Sequence, residues 1–328
     1  MAGLLSGLLF APTCIFAQQQ TTIPQKQERI EVLIAKTVVF ITLVVDLDGR
    51  TIPGQGTGFL VAVPDARMGK DQGFIYLITN RHVAEAIDNV GGICRRYRIL
   101  QTSVTWNLKS PVNGQRQHTE TINNPPGLNW VFPEDDSVDL AAIPFGGDAA
   151  KYDVEFVSIA DFITPELFHT QFDVGDKILF AGLFSPFEGA NEIQPILRQG
   201  ILSMLPDGPI PTTLCRPGTV YLADVHAIRG NSGSPVFMTP RSTLGGMVGS
   251  SNGVVPYGLL GVISGFENES ENFSLQASTT TFQGSVQANS GISVIVPAYQ
   301  LKNLLESAPL QKLRDQAAAA LNEKAKSK

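Results

Sequence analysis

Histidine and cysteine are scarce in this sequence, which has four histidines and three cysteines among its 328 residues. Metal-dependent hydrolases often carry two histidines one helical turn apart, as in the motif H-E-x-x-H, and that motif is absent here. The four histidines also lack the paired spacing of metal ligands. We therefore expect no metal site and no cofactor.

An excess of positive charge is also lacking. The chain has 24 basic and 30 acidic residues and a formal net charge of -6, whereas nucleic-acid-binding proteins present clustered lysine and arginine to the phosphates. Beyond the N-terminus no run of about 18 apolar residues occurs, so we expect no stable membrane insertion. A hydrophobic content of 43% is enough for a large core, and disorder is not expected.

Charge is missing altogether from the first 20 residues, MAGLLSGLLFAPTCIFAQQQ. Their apolar block is too short to span a bilayer and ends at Ala17 before a glutamine run, which favours a signal peptide over residues 1–17 and a linker over residues 18–34. The alternatives are lipid attachment at Cys14 and a retained apolar segment. The signal peptide predicts export to the periplasm or the extracellular space.

Two cysteines remain once a signal peptide is removed, Cys94 and Cys215. Disulfides persist in exported proteins, so the pair can form a bridge. Two buried free thiols would give the same sequence, and both alternatives stay open because geometry decides between them.

The remaining pattern is a succession of short β-branched and aromatic runs separated by Gly, Pro, Asn and Asp, which predicts an all-β sandwich or barrel. The candidate strands are residues 38–49, 56–63, 74–80, 97–106, 138–145, 176–183, 195–205, 219–225, 234–238, 257–264 and 291–298. Helical pattern is confined to HVAEAI (82–87), AYQLKNLLES (298–307) and an alanine-rich, solvated C-terminal tail (308–328). Three polar stretches are predicted to be loops: 107–127, 239–256 and 267–290.

The stretch RGNSGSPVF, residues 229–237, presents Ser232 in a turn between Gly230 and Gly233. Such a turn can aim backbone amides inward, and amides placed in this way stabilise an oxyanion. The expected donors are the N–H groups of Gly230 and Ser232. The alternative is an ordinary tight turn with a polar serine.

A serine hydroxyl attacks a carbonyl at neutral pH only when a base removes its proton, and that base is best a histidine held by a carboxylate. His82 follows an apolar strand and opens a short helix, and Asp139 interrupts the apolar strand VDLAAI. A carboxylate in such a strand needs a hydrogen-bond donor, which an imidazole N–H supplies. The alternatives are a surface histidine and an edge-strand aspartate. His118, His169 and His226 are interpreted as solvated or packing residues.

These three blocks, TNRHV, VDLAAI and GNSGSPVF, occur in the order His82, Asp139, Ser232 and resemble the catalytic blocks of the trypsin-like (chymotrypsin-fold) serine peptidases. GTGFLV, FAGLFSP, RQGILS and ISVIVPAYQLKNLL are similar to blocks of the bacterial HtrA-type branch, and GNSGSP resembles the glutamyl endopeptidases. The resemblance spans about residues 35–307, and no PDZ-like domain follows it.

By that resemblance Ser232 is the nucleophile, His82 the general base and Asp139 the group that orients the imidazole. It implies two six-stranded antiparallel β-barrels, about residues 35–150 and 171–298, with a C-terminal helix and the cleft between the barrels. Proteins or peptides are the implied substrates. A catalytically silent or latent binding or chaperone-like protein on the same fold is the alternative function.

Several positions depart from the family pattern. Ser234 replaces a glycine, and Asn231 replaces the aspartate that binds a new N-terminal ammonium in animal members, so that activation switch is expected to be absent. The residues expected at the substrate pocket are His226, Ile263 and Ser264. Glutamyl endopeptidases carry a histidine where this chain has Ile263, so their specificity is not implied.

Overall fold

The structure is a computed structural model that describes residues 29–69, 72–90, 93–122, 129–146, 150–238, 257–278 and 280–326. The predicted signal peptide, Cys14, most of the predicted linker and the predicted loop 239–256 lie outside these ranges. Among the described residues no helix is long and apolar enough to cross a membrane.

The first half of the chain is built mainly from strands. Its strands are β1 Val38–Leu47, β2 Arg50–Pro64, β3 Gly73–Thr79, β4 Ile87–Val90, β5 Ile93–Arg96, β6 Arg98–Val112, β7 Gln115–Thr121, β8 Ala141–Pro144 and β9 Val157–Ser158. Its helices are α1 Ile30–Thr37, α2 Arg81–Ala84 and α3 Pro165–Gln171, with short 3-10 turns at Ala66–Met68 and Ile159–Asp161.

The second half continues the β pattern and ends in two helices. Its strands are β10 Lys177–Gly182, β11 Ile196–Met204, β12 Ile210–Pro211, β13 Pro217–Gly218, β14 Tyr221–Asp224, β15 Pro235–Met238, β16 Gly258–Ala277 and β17 Thr280–Pro297. Its helices are α4 Ala298–Leu305 and α5 Ala308–Lys326.

The first half forms a curled sheet of seven strands in the order β7-β6-β1-β2-β3-β8, with β9 parallel to β2. β1 and β2 form a hairpin because Asp48 and Gly49 both adopt positive φ, the conformation of a two-residue turn. Beyond β8 the chain hydrogen-bonds to β6 near the opposite end of the sheet, through Asp153 N–H to the Asn107 carbonyl at 2.8 Å. β9, at Val157–Ser158, also belongs to this sheet.

The second half forms a closed six-stranded barrel in the order β10-β11-β14-β17-β16-β15. Its interior is filled by alternate apolar side chains of the strands, including Ile178, Phe180, Leu202, Val236 and Ile263. A larger core lies where barrel and curled sheet meet and is closed by α4 and α5. The chain is therefore mostly β, and its architecture agrees with the two-barrel, trypsin-like fold expected from the sequence.

Two segments predicted to be loops are hairpins. Of the predicted loop 107–127, residues 107–121 form the end of β6, the turn of Asn113 and Gly114, both at positive φ, and β7, while residues 123–127 lie outside the described residues. Residues 267–290 form most of a two-stranded ribbon in which β16 and β17 extend beyond the barrel. We call residues 265–278 and 280–291 the arm. Neither prediction was correct, because polar side chains occupy strands whose backbone pairing does not depend on burial.

The two chain ends also differ from expectation. Helix α1 begins at Ile30, within the predicted linker, and buries Ile34 in the shared core. Helix α5 is helical as predicted, but its first half is packed rather than solvated. Leu310 is buried, and the Arg314 guanidinium donates to the Tyr76 hydroxyl and to the Leu305 carbonyl.

Candidate active site

His82 and Asp139 meet at the end of β3. Asn80 is the N-cap residue of α2, and His82 lies in the first helical turn with its ring facing Asp139 in the segment before β8. The His82 backbone N–H donates to Asp139 Oδ1 at 2.9 Å, and His82 Nδ1 lies 2.7 Å from Asp139 Oδ2. Two contacts fix both the helix turn and the ring, and they assign the proton to Nδ1 because a carboxylate can only accept. In the neutral imidazole Nε2 therefore keeps a lone pair.

Asp139 is 1% exposed and is surrounded by donors. The Ser264 hydroxyl donates to Oδ2 at 2.6 Å, and the Asn80 side-chain amide donates to the Asp139 backbone carbonyl at 2.8 Å. Burial raises the pKa of the Asp139 carboxyl, but attraction to His82 and the hydrogen bonds from His82 and Ser264 outweigh it, so the pKa is below its ordinary value. The carboxylate therefore stays ionised at neutral pH.

Thr213 is a further neighbour of this carboxylate. Its hydroxyl lies 2.9 Å from Asp139 Oδ2 and 2.9 Å from the Ser264 hydroxyl oxygen. A hydroxyl has one hydrogen, so Thr213 donates either to the carboxylate directly or to Ser264, which itself donates to the carboxylate. Both arrangements stabilise negative charge on Asp139.

A disulfide holds the loop that carries Thr213. Cys94 of β5 and Cys215 are bonded, with an S–S distance of 2.07 Å and a Cα–Cα distance of 5.9 Å. The bridge resolves the two alternatives left open by the sequence, and it joins the first half of the chain to the second. An ion pair supports the same connection, because Asp136, which also binds Arg81 within the first half, binds Arg216 of the second half.

Ser232 lies in a turn that depends on two glycines. Gly230 and Gly233 have φ of 94° and 91°, in the region that side chains other than glycine rarely adopt. A Cβ on Gly233 would come within 1.9 Å of the Thr57 carbonyl oxygen. The glycines thus permit both the turn and its close contact with β2.

Thr57 of β2 binds this turn at several points and is fully buried. Its N–H donates to the Ser232 carbonyl at 2.8 Å, and its hydroxyl donates to the Gly230 carbonyl at 2.7 Å. The same hydroxyl accepts from the Leu183 N–H at 2.9 Å. Through these bonds the first sheet, which carries His82 and Asp139, positions the serine turn of the barrel.

The backbone N–H groups of Gly230 and Ser232 are the predicted oxyanion donors. Within the described part of the chain neither donates to a protein acceptor, although the carbonyls of both residues are hydrogen-bonded to Thr57. Two neighbouring amides without an internal partner, beside a serine hydroxyl, form a site where a negatively charged oxygen can bind.

The Ser232 hydroxyl donates to the Ser264 carbonyl at 3.3 Å. Among the described residues no hydrogen bond joins it to His82. Contacts between nucleophile and base are often long in the absence of substrate.

Two positions that depart from the family pattern are buried beneath the turn. Asn231 is fully buried, and its amide donates to the Leu183 carbonyl at 2.7 Å while its side-chain oxygen accepts from the Ile228 N–H at 2.9 Å. The amide is therefore satisfied within the chain. Ser234 is also buried, and its hydroxyl has no hydrogen-bond partner among the described residues.

The residues expected at the substrate pocket do not line one surface. His226 is exposed, whereas Ile263 is fully buried and its side chain packs inside the barrel. Ser264 is also buried, and its hydroxyl donates a hydrogen bond to Asp139. The structure thus corrects the expected pocket set: the Ile263 and Ser264 side chains are part of the support beneath the site.

Sequence reasoning missed Thr57 and Thr213. Thr57 lies in the GTGFLV block, but nothing in the block marks its hydroxyl as a contact of a turn 173 positions further along. Thr213 lies two residues before Cys215, and the cysteine was the available signal that this loop is held near the first half of the chain.

Comparisons with known proteins add little to this geometry. No protein-family model and no curated protein sequence matches the chain. Among solved structures, it is similar to an inactive mutant of Rv3671c from M. tuberculosis, with 14% identity over 84% of this chain and 89% of that one, at a TM-score of 0.39. A likeness at this level says nothing about the chemistry of this chain, and the fold stands on its own strand order. No cluster of three metal-ligating side chains occurs among the described residues.

Proposed function

We propose that this protein is an exported serine endopeptidase that hydrolyses peptide bonds in protein or peptide substrates. The observation that carries the proposal is the two-point contact between His82 and Asp139, which orients the imidazole and leaves Nε2 as a base. A histidine with a purely structural role would not require a buried carboxylate that also accepts hydrogen bonds from other side chains. The arrangement has the roles of a Ser-His-Asp triad.

In the proposed reaction, His82 Nε2 takes the proton of the Ser232 hydroxyl as the oxygen attacks the substrate carbonyl. The negative charge that develops on the carbonyl oxygen is stabilised by the N–H groups of Gly230 and Ser232. His82 then gives its proton to the leaving amine, and an acyl group remains on Ser232. Water, activated by the same imidazole, releases the acyl group.

Export is supported by the uncharged apolar N-terminus and by the disulfide between Cys94 and Cys215. Disulfides are rare in proteins that remain in a reducing cytosol. The compartment we propose is therefore the periplasm or the extracellular space.

Labelling with a fluorophosphonate probe tests the proposal, because the probe reacts with activated serines. We expect labelling of the wild type and none of Ser232→Ala or His82→Ala. His169→Ala, which replaces an exposed histidine of α3, is the control and should label like the wild type. Folded wild-type protein that does not label would contradict the proposal and favour the binding or chaperone-like alternative.

A further inference from the structure

The arm has two chemically different faces. Residues opposite each other in an antiparallel pair share a face, and the pairs are Phe273 with Gly284, Leu275 with Phe282, and Glu271 with Val286. The large apolar members are exposed: Phe273 by 46%, Leu275 by 61%, Phe282 by 57% and Val286 by 51%. We call these four side chains the apolar face.

The reverse side of the arm is uncharged and polar. It carries the pairs Asn272 with Ser285, Ser274 with Gln283, and Gln276 with Thr281. A ribbon of two strands is marginally stable in water unless one face is covered. The separation into two faces therefore indicates that the apolar face has a binding role.

Gly284 fixes the position of one side chain of the apolar face, Phe273. A Cβ at Gly284 would lie 2.7 Å from the Phe273 ring, so the ring packs directly over the glycine backbone. An aromatic ring over a glycine on the opposite strand fixes the register of a hairpin. Phe273 is thereby held in place although it is almost half exposed.

The arm is continuous with the strand that contacts the serine turn. In β16, the Ile263 carbonyl accepts from the Gly233 N–H at 2.8 Å, and the Ser264 carbonyl accepts from the Ser232 hydroxyl. The strand then runs through residue 277. A polypeptide bound at Ser232 would therefore lie next to the base of the arm.

One edge of the arm has no paired strand among the described residues. Within the described residues, β16 pairs with β15 only up to Val262, and beyond Ser264 its strand pairing is with β17 alone. An unpaired edge is a template on which an extended polypeptide adds by main-chain hydrogen bonds. Alternate side chains of the added strand would then lie beside the apolar face.

Charge distinguishes between occupants of this edge. The arm contains Glu267, Glu269 and Glu271 and no lysine or arginine. Pairing of two copies of the arm would bring these carboxylates together without counter-charges, and an anionic membrane would also be repelled. A polypeptide with basic residues beside its apolar positions has the complementary charge.

We propose that the arm is a docking surface for an extended segment of the polypeptide substrate, in which apolar residues alternate with small polar ones and basic residues flank them. This inference rests on the proposed function, because it places a second part of the same substrate beside Ser232.

A binding experiment on the full chain carrying Ser232→Ala tests the inference. The probe is a short fluorescent peptide in which Leu and Val alternate with Ser and Thr between terminal lysines, followed by anisotropy. We expect Phe273→Ser combined with Phe282→Ser to weaken binding by about tenfold or more. Ser274→Ala combined with Gln283→Ala, on the polar side, should change the Kd by less than about twofold.

A second pair of variants covers the case in which loss of the aromatic residues prevents folding. Glu269→Gln combined with Glu271→Gln should weaken binding of the lysine peptide severalfold, and the peptide with terminal glutamates should bind weakly to every form. Equal binding by all variants would overturn the inference. So would wild-type self-association in sedimentation that depends on the apolar face, because the occupant would then be a second copy.

Labelling of the wild type with the fluorophosphonate probe separates this inference from the proposed function. If the wild type labels, but substitutions in the arm leave the Kd of the peptide unchanged, only the docking surface is contradicted. A wild type that does not label but binds the peptide through the arm contradicts the endopeptidase and with it the assignment of the peptide as substrate.

Discussion

The Thr57 hydroxyl donates to the Gly230 carbonyl at 2.7 Å, and this bond crosses from the first sheet to the serine turn of the barrel. The proposed general base, His82, and the proposed nucleophile, Ser232, belong to different halves of the chain, so their relative position depends on contacts between the halves. Thr57 provides several of these contacts from one fully buried residue.

Thr57→Val should therefore slow fluorophosphonate labelling by about tenfold or more, because small displacements of a reacting group are costly. It leaves the Gly230 carbonyl and the Leu183 N–H unpaired in the interior, so the free energy of unfolding should fall by about 2–4 kcal/mol. Urea unfolding and labelling rates measure the two effects. Thr57→Ser keeps the hydroxyl and should stay close to the wild type. Wild-type labelling by the valine variant would show that the hydroxyl does not position the turn.

Thr213→Val should slow labelling by about three- to tenfold, because Asp139 loses a hydrogen-bond donor. With fewer competing donors, the carboxylate attracts the imidazole proton more strongly, so the pH of half-maximal labelling should rise. Thr213→Ser should restore both the rate and the pH profile. A loss of stability with an unmoved profile would assign Thr213 a purely structural role.

Cys94→Ser combined with Cys215→Ser should lower the free energy of unfolding by about 2–4 kcal/mol, because the bridge closes a loop between residues 121 positions apart. Thr213 lies in the same loop, so labelling should slow as well. Urea unfolding with and without a reductant provides the comparison: reductant should weaken the wild type and leave the double variant unchanged. Equal stability of both forms in oxidising buffer would contradict the prediction.

Asn231→Asp should destabilise the protein by about 3–5 kcal/mol at pH 7, because it would bury a charge and place one carboxylate oxygen against the Leu183 carbonyl, while the Ile228 N–H donates to the other. Burial would raise the folded-state pKa of this carboxyl above its unfolded value of about 4, so the penalty should disappear as the pH falls through the folded-state pKa and then the unfolded value. Thermal melting at several pH values measures this recovery. Asn268→Asp, at an exposed arm position, is the control and should have little effect. A penalty that does not change with pH would point to packing instead of charge.

Asp139 itself should make stability fall in acid. Its pKa is lower in the folded protein than its ordinary value, so its stabilising effect is present above the unfolded pKa of about 3.9 and is lost as the pH falls through the folded value. In urea unfolding, the difference between wild type and Asp139→Asn should be large at pH 7 and should shrink towards pH 3. The same substitution at exposed Asp207 should give a small difference with little pH dependence. A constant difference for Asp139→Asn would contradict the pKa assignment.

The sequence predicted the elements that depend on a local pattern of residues. Short β-branched and aromatic runs between turn residues predicted most strands of the curled sheet and the barrel, and the leucines of residues 298–307 predicted α4. The serine turn was predictable because Gly230 and Gly233 lie on either side of Ser232. Both adopt positive φ, a conformation that strains residues other than glycine. His82 and Asp139 stood out because a histidine at a strand end and a carboxylate in an apolar strand each call for a partner.

The arm and the β6–β7 hairpin were missed because backbone hydrogen bonds are common to all residues, and polar strands carry no apolar period to reveal them. In the β6–β7 hairpin the local signal was Asn113 followed by Gly114, since that pair favours a two-residue turn. In the arm, apolar residues alternate over only a few positions and are separated by serine, glutamine and glycine.

By itself the sequence determined the mainly β fold and the turn around Ser232, and it indicated His82 and Asp139 as the candidate base and the candidate carboxylate that orients it. Only the tertiary structure decided that Cys94 and Cys215 are bonded, that Thr57 and Thr213 support the site, and that Ile263 and Ser264 lie beneath it. The reason is physical: these contacts join residues far apart in the chain, and their distances depend on how sheet and barrel pack.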